Sequence, residues 1–164
     1  LSMHRRSMRA LSVGSYTPAA VEAALTHMGT MDPKLIADGT YLVAEQGDEL
    51  AGSAGWTMRQ PNYAKLLQEA LPPVPGRVGV VRSVYVEPQM VRRGVARRLM
   101  AAVESRLALE GAETAELMAT LCGVPLYESM GYVPLSDHAL LLADGSEFVV
   151  RRMVRSLEPM RQAA

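Results

Sequence analysis

The sequence predicts an α+β chain in which a mixed, mostly antiparallel, twisted sheet is flanked by helices. Two hairpin patterns and one strand, helix, strand step carry that reading. Tyr41–Glu45 and Leu50–Met58 are apolar or alternating runs around the turn residues Gly47-Asp48, and Tyr132–Leu142 and Glu147–Val154 repeat the pattern about Asp144-Gly145. Between them, Arg77–Glu87 reads as a strand, Val91–Glu110 as a helix and Glu113–Thr120 as a second strand, an order that calls for a parallel pair inside the antiparallel sheet.

The elements follow in order. Residues 1–12 alternate apolar and basic positions at helical spacing, with Leu1, His4, Met8 and Leu11 on one side and Arg5, Arg6 and Arg9 around the rest. Thr17-Pro18 is an N-cap followed by proline at the first helical position, and that second helix runs to Gly29. After the first hairpin, Gln60–Gly76 carries four prolines and reads as a long loop with a helical turn over Tyr63–Ala70; loops of this length are often functional. In the long helix Val95, Leu99, Ala102, Val103 and Leu107 form the apolar stripe, and Gly111 is the stop. Val124–Met130 is a short helix ended by Gly131. No repeat, low-complexity tract or linker divides the chain, so residues 1–164 are expected to form a single domain.

Composition narrows the function. The 17 basic and 17 acidic residues cancel, which argues against nucleic acid or an anionic membrane as partner. The single cysteine, Cys122, rules out an intramolecular disulfide and leaves too little sulfur for a cysteine-based zinc site, so no metal is expected. No apolar run nears the roughly 20 residues that span a bilayer, and a reducing cytoplasmic setting fits best. The chain opens at Leu1, so preceding residues are expected to have been removed or left out.

Positive charge is instead local. At Val84–Met100 a β-branched strand ends at Glu87-Pro88, and a turn holding Arg92, Arg93 and Gly94 opens the long helix. Helix N-termini expose unpaired N–H groups and partial positive charge, which suits anions. Gly94 allows close backbone approach, Ala96 is small, and Arg92, Arg93, Arg97 and Arg98 surround the point with guanidinium forks, so polyphosphate is the fitting ligand class. An ordinary arginine-rich solvated face is the competing reading.

These elements and this turn resemble the GCN5-related N-acetyltransferase (GNAT) superfamily. Its Gln/Arg-x-x-Gly-x-Gly/Ala signature is matched by Val91, Arg92, Arg93, Gly94, Val95 and Ala96, after Val86-Glu87-Pro88. A second signature, aromatic-Tyr-x-x-x-Gly-aromatic, is matched by Leu126, Tyr127, Glu128, Ser129, Met130, Gly131 and Tyr132, with leucine in the first aromatic place. Val91 departs from the usual Gln or Arg, and Thr120 stands where many members carry Asn. Members also begin with a strand before the first helix, so that strand is expected to be missing from this sequence.

The resemblance implies a central, splayed parallel strand pair and acyl transfer from acetyl-CoA, as cosubstrate, to a primary amine on a small molecule or peptide, without metal or covalent enzyme intermediate. Val84, Tyr85 and Val86 would pair with the pantetheine arm, the amides of Arg93–Arg97 would hold the pyrophosphate, and Arg92, Gly94, Val95, Ala96 and Thr120 complete the cofactor set. A strand N–H near Tyr85 or Val86 would stabilise the oxyanion, and Tyr127 is the family-matched general acid for the departing thiolate. Its competing reading is a tyrosine packed under the short helix. The amine must lose a proton that titrates near ~10.4 in water. Many members place a carboxylate on the central strand about where this chain has Arg82; Glu87 is nearby at the strand end, Glu45, Asp137, His138 and His27 are base candidates by residue type alone, and a water chain is the alternative base. The charge reversal at Arg82 implies an acceptor with an anion beside its amine, against the plainer reading that Arg82 pairs with a nearby acid. Trp56, Tyr63, Tyr85 and the Gln60–Gly76 loop are the expected substrate-side walls.

Cys122 would suggest an acyl relay, but a lone cysteine without a base is ordinarily a small hydrophobe. The rival functions are a nonenzymatic acetyl-CoA-binding regulatory module of the same fold and a nucleic-acid-binding domain using the arginine-rich helix. A dinucleotide fold lacks its G-x-G-x-x-G. The acceptor's identity and the oligomeric state, a homodimer being one possibility, are left open.

Overall fold

The computed structural model describes residues 1–158. Three helices come first, α1 (Ser2–Leu11), α2 (Pro18–His27) and α3 (Pro33–Ala37). They are followed by the hairpin β1 (Tyr41–Gln46) and β2 (Glu49–Thr57), then β3 (Val78–Val86), α4 (Val95–Leu109), β4 (Thr114–Thr120), α5 (Val124–Ser129) and the hairpin β5 (Val133–Leu141) and β6 (Glu147–Ser156). The six strands form one sheet in the order β1-β2-β3-β4-β6-β5, antiparallel except for β3 and β4. It is thus the mixed, mostly antiparallel sheet flanked by helices that the sequence predicts.

Several boundaries differ for physical reasons. The long helix starts at Val95 rather than Val91, because Arg92 (φ 61°) and Gly94 (φ 80°) take left-handed conformations that no α-helix can include. Its buried face is Leu99, Met100, Val103 and Leu107; Ala102 points to solvent and Met100 takes its place. On α1 the buried stripe is Met3, His4, Ser7 and Met8, rotated from the expected one, and Leu1 and Leu11 are exposed. The short helix α3 escaped the sequence reading although Asp32-Pro33 repeats the cap-then-proline signal of α2; Asp32 Oδ1 accepts the Lys34 N–H at 3.0 Å. The helical turn in the proline-rich loop is a 3₁₀ turn over Asn62–Leu66.

The sheet divides the apolar interior. On one face α4 and α5 bury Trp56, Val81, Leu117, Tyr127 and Met153; on the other α1 and α2 bury Leu140, Phe148 and Val150. Close approach of α4 needs a glycine on β2, since a Cβ at Gly52 would sit 2.8 Å from the Tyr85 carbonyl oxygen and 2.9 Å from Val95 Cγ1. Burying a leucine-sized side chain contributes about 1.5–3 kcal/mol, so these two layers supply most of the cohesion. The Gln60–Gly76 loop is tied down from beneath. Glu116 on β4 pairs with the buried Arg152 of β6, whose Nη1 donates to the Pro72 carbonyl at 2.6 Å.

Candidate active site

Parallel pairing between β3 and β4 covers only Val78–Val80 against Thr114–Glu116. Beyond that point the strands separate, which is the expected splay. The opening holds a groove of about 680 Å³. Val84, Tyr85 and Val86 line it from β3, Arg92, Gly94, Val95, Ala96 and Arg97 from the turn and α4, and Thr120, Cys122 and Tyr127 from the end of β4 and α5. Of the residues expected around a cofactor, Arg93 on the turn and Arg98 on α4 lie outside this lining, both exposed.

The turn is shaped to receive an anion. The two left-handed residues curl the chain so that α4 starts directly at the groove, and no side chain caps its first N–H groups. A Cβ at Gly94 would meet nothing within 4 Å, so its φ of 80° and not crowding calls for glycine. Arg97 Nη2 donates to Ser129 Oγ at 2.6 Å, fastening the turn to α5.

Tyr127, in the lining of the same groove, is 9 % exposed and packs edge-on against Tyr132 with ring centroids 5.9 Å apart. Burial raises its pKa, so the phenol keeps its proton at neutral pH. Tyr132 gives its hydroxyl to Glu104 at 2.9 Å and stays structural. Cys122 Sγ lies 3.2 Å from Thr120 Oγ1 and 3.9 Å from Ser12 Oγ, hydroxyls rather than bases.

A smaller cavity of about 180 Å³ adjoins the groove, and Arg82, Tyr85 and Thr120 line both. A regular strand would send Arg82 and Tyr85, three residues apart, to opposite faces. A bulge prevents this. Ser83 and Val84 on β3 stand against Ala54 alone on β2, with Ser83 at φ 52°, and the extra residue turns Arg82 and Tyr85 to the same side. No residue pattern announces that bulge in the sequence. Tyr63 also lines this cavity, with the Arg82 guanidinium carbon 4.7 Å from its ring centre.

Trp56 does neither job. It is 4 % exposed in the α4-side core, donates its indole N–H to Glu110 at 2.7 Å, and walls neither cavity. Among the base candidates, Glu87 is paired with Arg6 at 2.7 Å, Asp137 with Arg151 at 2.6 Å, and His138 with Ser136 at 2.6 Å. His27 lines the smaller cavity and faces Asp144 at 3.6 Å. Sequence reasoning also passed over His4 as more than one position of an apolar stripe. Its Nε2 lies 2.9 Å from Tyr41 Oη and 3.0 Å from Ser53 Oγ, and Ser53 in turn donates to the Ser83 carbonyl in the bulge at 3.2 Å. A histidine inside an apolar stripe is the signal that could have found it.

Among the described residues no group of three or more His, Cys, Asp or Glu side chains could hold a metal ion, and no helix is long and apolar enough to cross a membrane.

Comparison with solved structures returns the same fold. A GCN5-related N-acetyltransferase from Rhodopseudomonas palustris superposes with a TM-score of 0.68 at 20% identity, covering 95% of this chain and 86% of the other. One from Ralstonia eutropha JMP134 gives 0.59 at 25% identity, over 82% and 86% of the two chains. The PaiA N-acetyltransferase from Thermoplasma acidophilum, in complex with coenzyme A, gives 0.61 at 14% identity over 94% and 89%. Comparison with curated proteins gave no match. The model of the acetyltransferase (GNAT) family matches residues 7–132, a span holding the splayed strands, the arginine turn and Tyr127 together, and this chain therefore belongs to that family of N-acetyltransferases.

Proposed function

We propose that the chain moves an acetyl group from acetyl-CoA to a primary amine by direct attack, with Tyr127 as general acid. The observation that carries this is the continuity of the groove. One groove is lined by the uncapped start of α4, the open edge of β3 and Tyr127. Acetyl-CoA fits these residues: the turn at Arg92–Arg97 suits a pyrophosphate, and the unpaired inner edge at Val84–Val86 suits the amide-bearing pantetheine arm. The coenzyme A seen with the Thermoplasma relative supports the same assignment.

Acetyl-CoA, when bound, supplies a thioester carbonyl open to an amine. This chain's residues would hold the handle far from the chemistry so that the reacting carbon stays in place. A strand N–H at Tyr85 or Val86 would steady developing negative charge on oxygen, and the Tyr127 phenol, kept protonated by burial, would hand its proton to the departing sulfur. The amine approaches through the smaller cavity, which meets the groove at Arg82 and Tyr85.

The test is thiol release from acetyl-CoA across a panel of primary amines, alongside calorimetric titration with CoA. Binding with release on at least one amine supports transfer. Binding without release on any amine would make the chain a nonenzymatic acetyl-CoA-binding regulatory module.

A further inference from the structure

Among the described residues, Arg82 is the charged group that burial leaves short of hydrogen-bond acceptors. Its side chain is 10% exposed, and Nη1 is a buried polar atom without a hydrogen-bond partner among the described residues. Nη2 donates to the neutral amide oxygen of Asn62 at 2.6 Å. The nearest carboxylate oxygen, Asp32 Oδ2, is 3.9 Å from Nη1, outside hydrogen-bond reach, and the other oxygen of Asp32 already caps α3. The Tyr63 ring holds the guanidinium over the cavity without supplying an acceptor. A buried guanidinium short of acceptors costs stability, and a fold keeps such a cost where a ligand relieves it.

We infer that the amine acceptor is a small aminocarboxylate with an apolar body, bound in the smaller cavity with its carboxylate on Arg82; the inference rests on the acetyl-transfer reading above. The planar guanidinium fork matches a carboxylate, and exchanging the Asn62 amide oxygen for one supplies the missing negative acceptor. Met8, Leu66, Leu140 and Phe148 give the cavity an apolar side, Thr30, Ser83 and Thr120 add polar groups elsewhere on its wall, and Lys65 is the second cation. At about 180 Å³ the cavity falls below the roughly 300–1,000 Å³ of ordinary ligand pockets, which suits one amino-acid-sized molecule. Because Arg82 lines both cavities, an anion held there leaves an amine a few bonds away at the groove.

The parent protein decides the matter by two routes. With CoA present, 4-methylpentanoate should bind ~10–100-fold more tightly than 4-methylpentanamide by calorimetry, the gain expected of charge-assisted hydrogen bonds. In thiol release, leucine should exceed isoamylamine in kcat/KM by a similar factor. Arg82→Gln should pull both ratios toward one, and Arg82→Lys should restore part of them. Equal binding of acid and amide, or isoamylamine as good as leucine, overturns the inference, whether or not the Arg82 variants fold. Preferred binding of the acid without thiol release from any amine would sustain the anion pocket and remove acetyl transfer. Release from neutral amines with acid and amide indistinguishable would do the reverse.

Discussion

The imidazole of His4 lies against the ring of Tyr85, centroids 4.3 Å apart and planes 22° from parallel. A helix thereby braces the strand that walls both cavities. With the Ser53 hydroxyl given to the Ser83 carbonyl, Nε2 is assigned a ring hydrogen, Nδ1 lies 3.1 Å from Thr30 Oγ1, and burial keeps the ring neutral at pH 7.

That neutrality predicts a pH dependence of folding. Burial lowers the His4 pKa from 6.5 to about 4. Between these values the unfolded chain binds the proton and the folded one does not, so stability falls as pH drops from 6.5 to 4 and this loss is complete below. Above pH 6.5 the group contributes no slope. The shift corresponds to about 3 kcal/mol. Urea denaturation at pH 7 and pH 4 should show that much smaller a drop in His4→Gln than in the parent; parallel drops would refute it.

Gly94→Val is expected to weaken CoA binding by more than tenfold while the chain stays folded. Nothing crowds a Cβ there, but a β-branched residue at φ 80° loses about 1–2 kcal/mol and drives the turn out of shape. Calorimetry with CoA and a thermal melt are the readouts. Gly94→Asn, which tolerates the left-handed region, should keep more of the affinity.

Tyr127→Phe keeps the ring and its packing against Tyr132 and deletes only the proton donor. Turnover should fall by roughly 10²–10⁴ with CoA affinity and melting temperature near those of the parent. Near-parental turnover would return Tyr127 to a packing role.

The buried Glu116 and Arg152 pair should couple strongly. Glu116→Gln leaves the guanidinium without its anion and should cost about 3–5 kcal/mol. Adding Arg152→Met to it should restore part of the loss, while limited proteolysis in the proline-rich loop increases because the hold on Pro72 is gone. Additive losses in a double-mutant cycle would show the pair to be uncoupled.

What the sequence disclosed was whatever acts locally. Thr17-Pro18, Gly47-Asp48 and Asp144-Gly145 mark caps and turns by their own chemistry, and the arginines, Gly94 and Tyr127 sit in contiguous motifs on elements of the expected type. The cavity-facing side of Arg82 was not legible in the same way, because it depends on one extra residue in β3 opposite Ala54. Trp56 was misplaced since an aromatic near the sheet centre looks the same from sequence whether it faces a cavity or the core. Nor does a terminal hairpin announce that β6, rather than β5, lies beside β4.

The early end of pairing between β3 and β4, at Val80 and Glu116, leaves two bare strand edges inside the sheet as well as those on its rim. Bare edges ordinarily recruit strands from other chains and seed aggregation. Here the gap tapers to nothing where the strands meet, and Met8 of α1 and Val95 of α4 line it. A neighbouring chain would need room for a full strand, about 4.7–4.9 Å from each partner along its length, which a wedge does not give. A thin arm carrying a few amides can follow the taper, so hydrogen-bonding capacity that would be a hazard at the rim is safe at the centre of the fold.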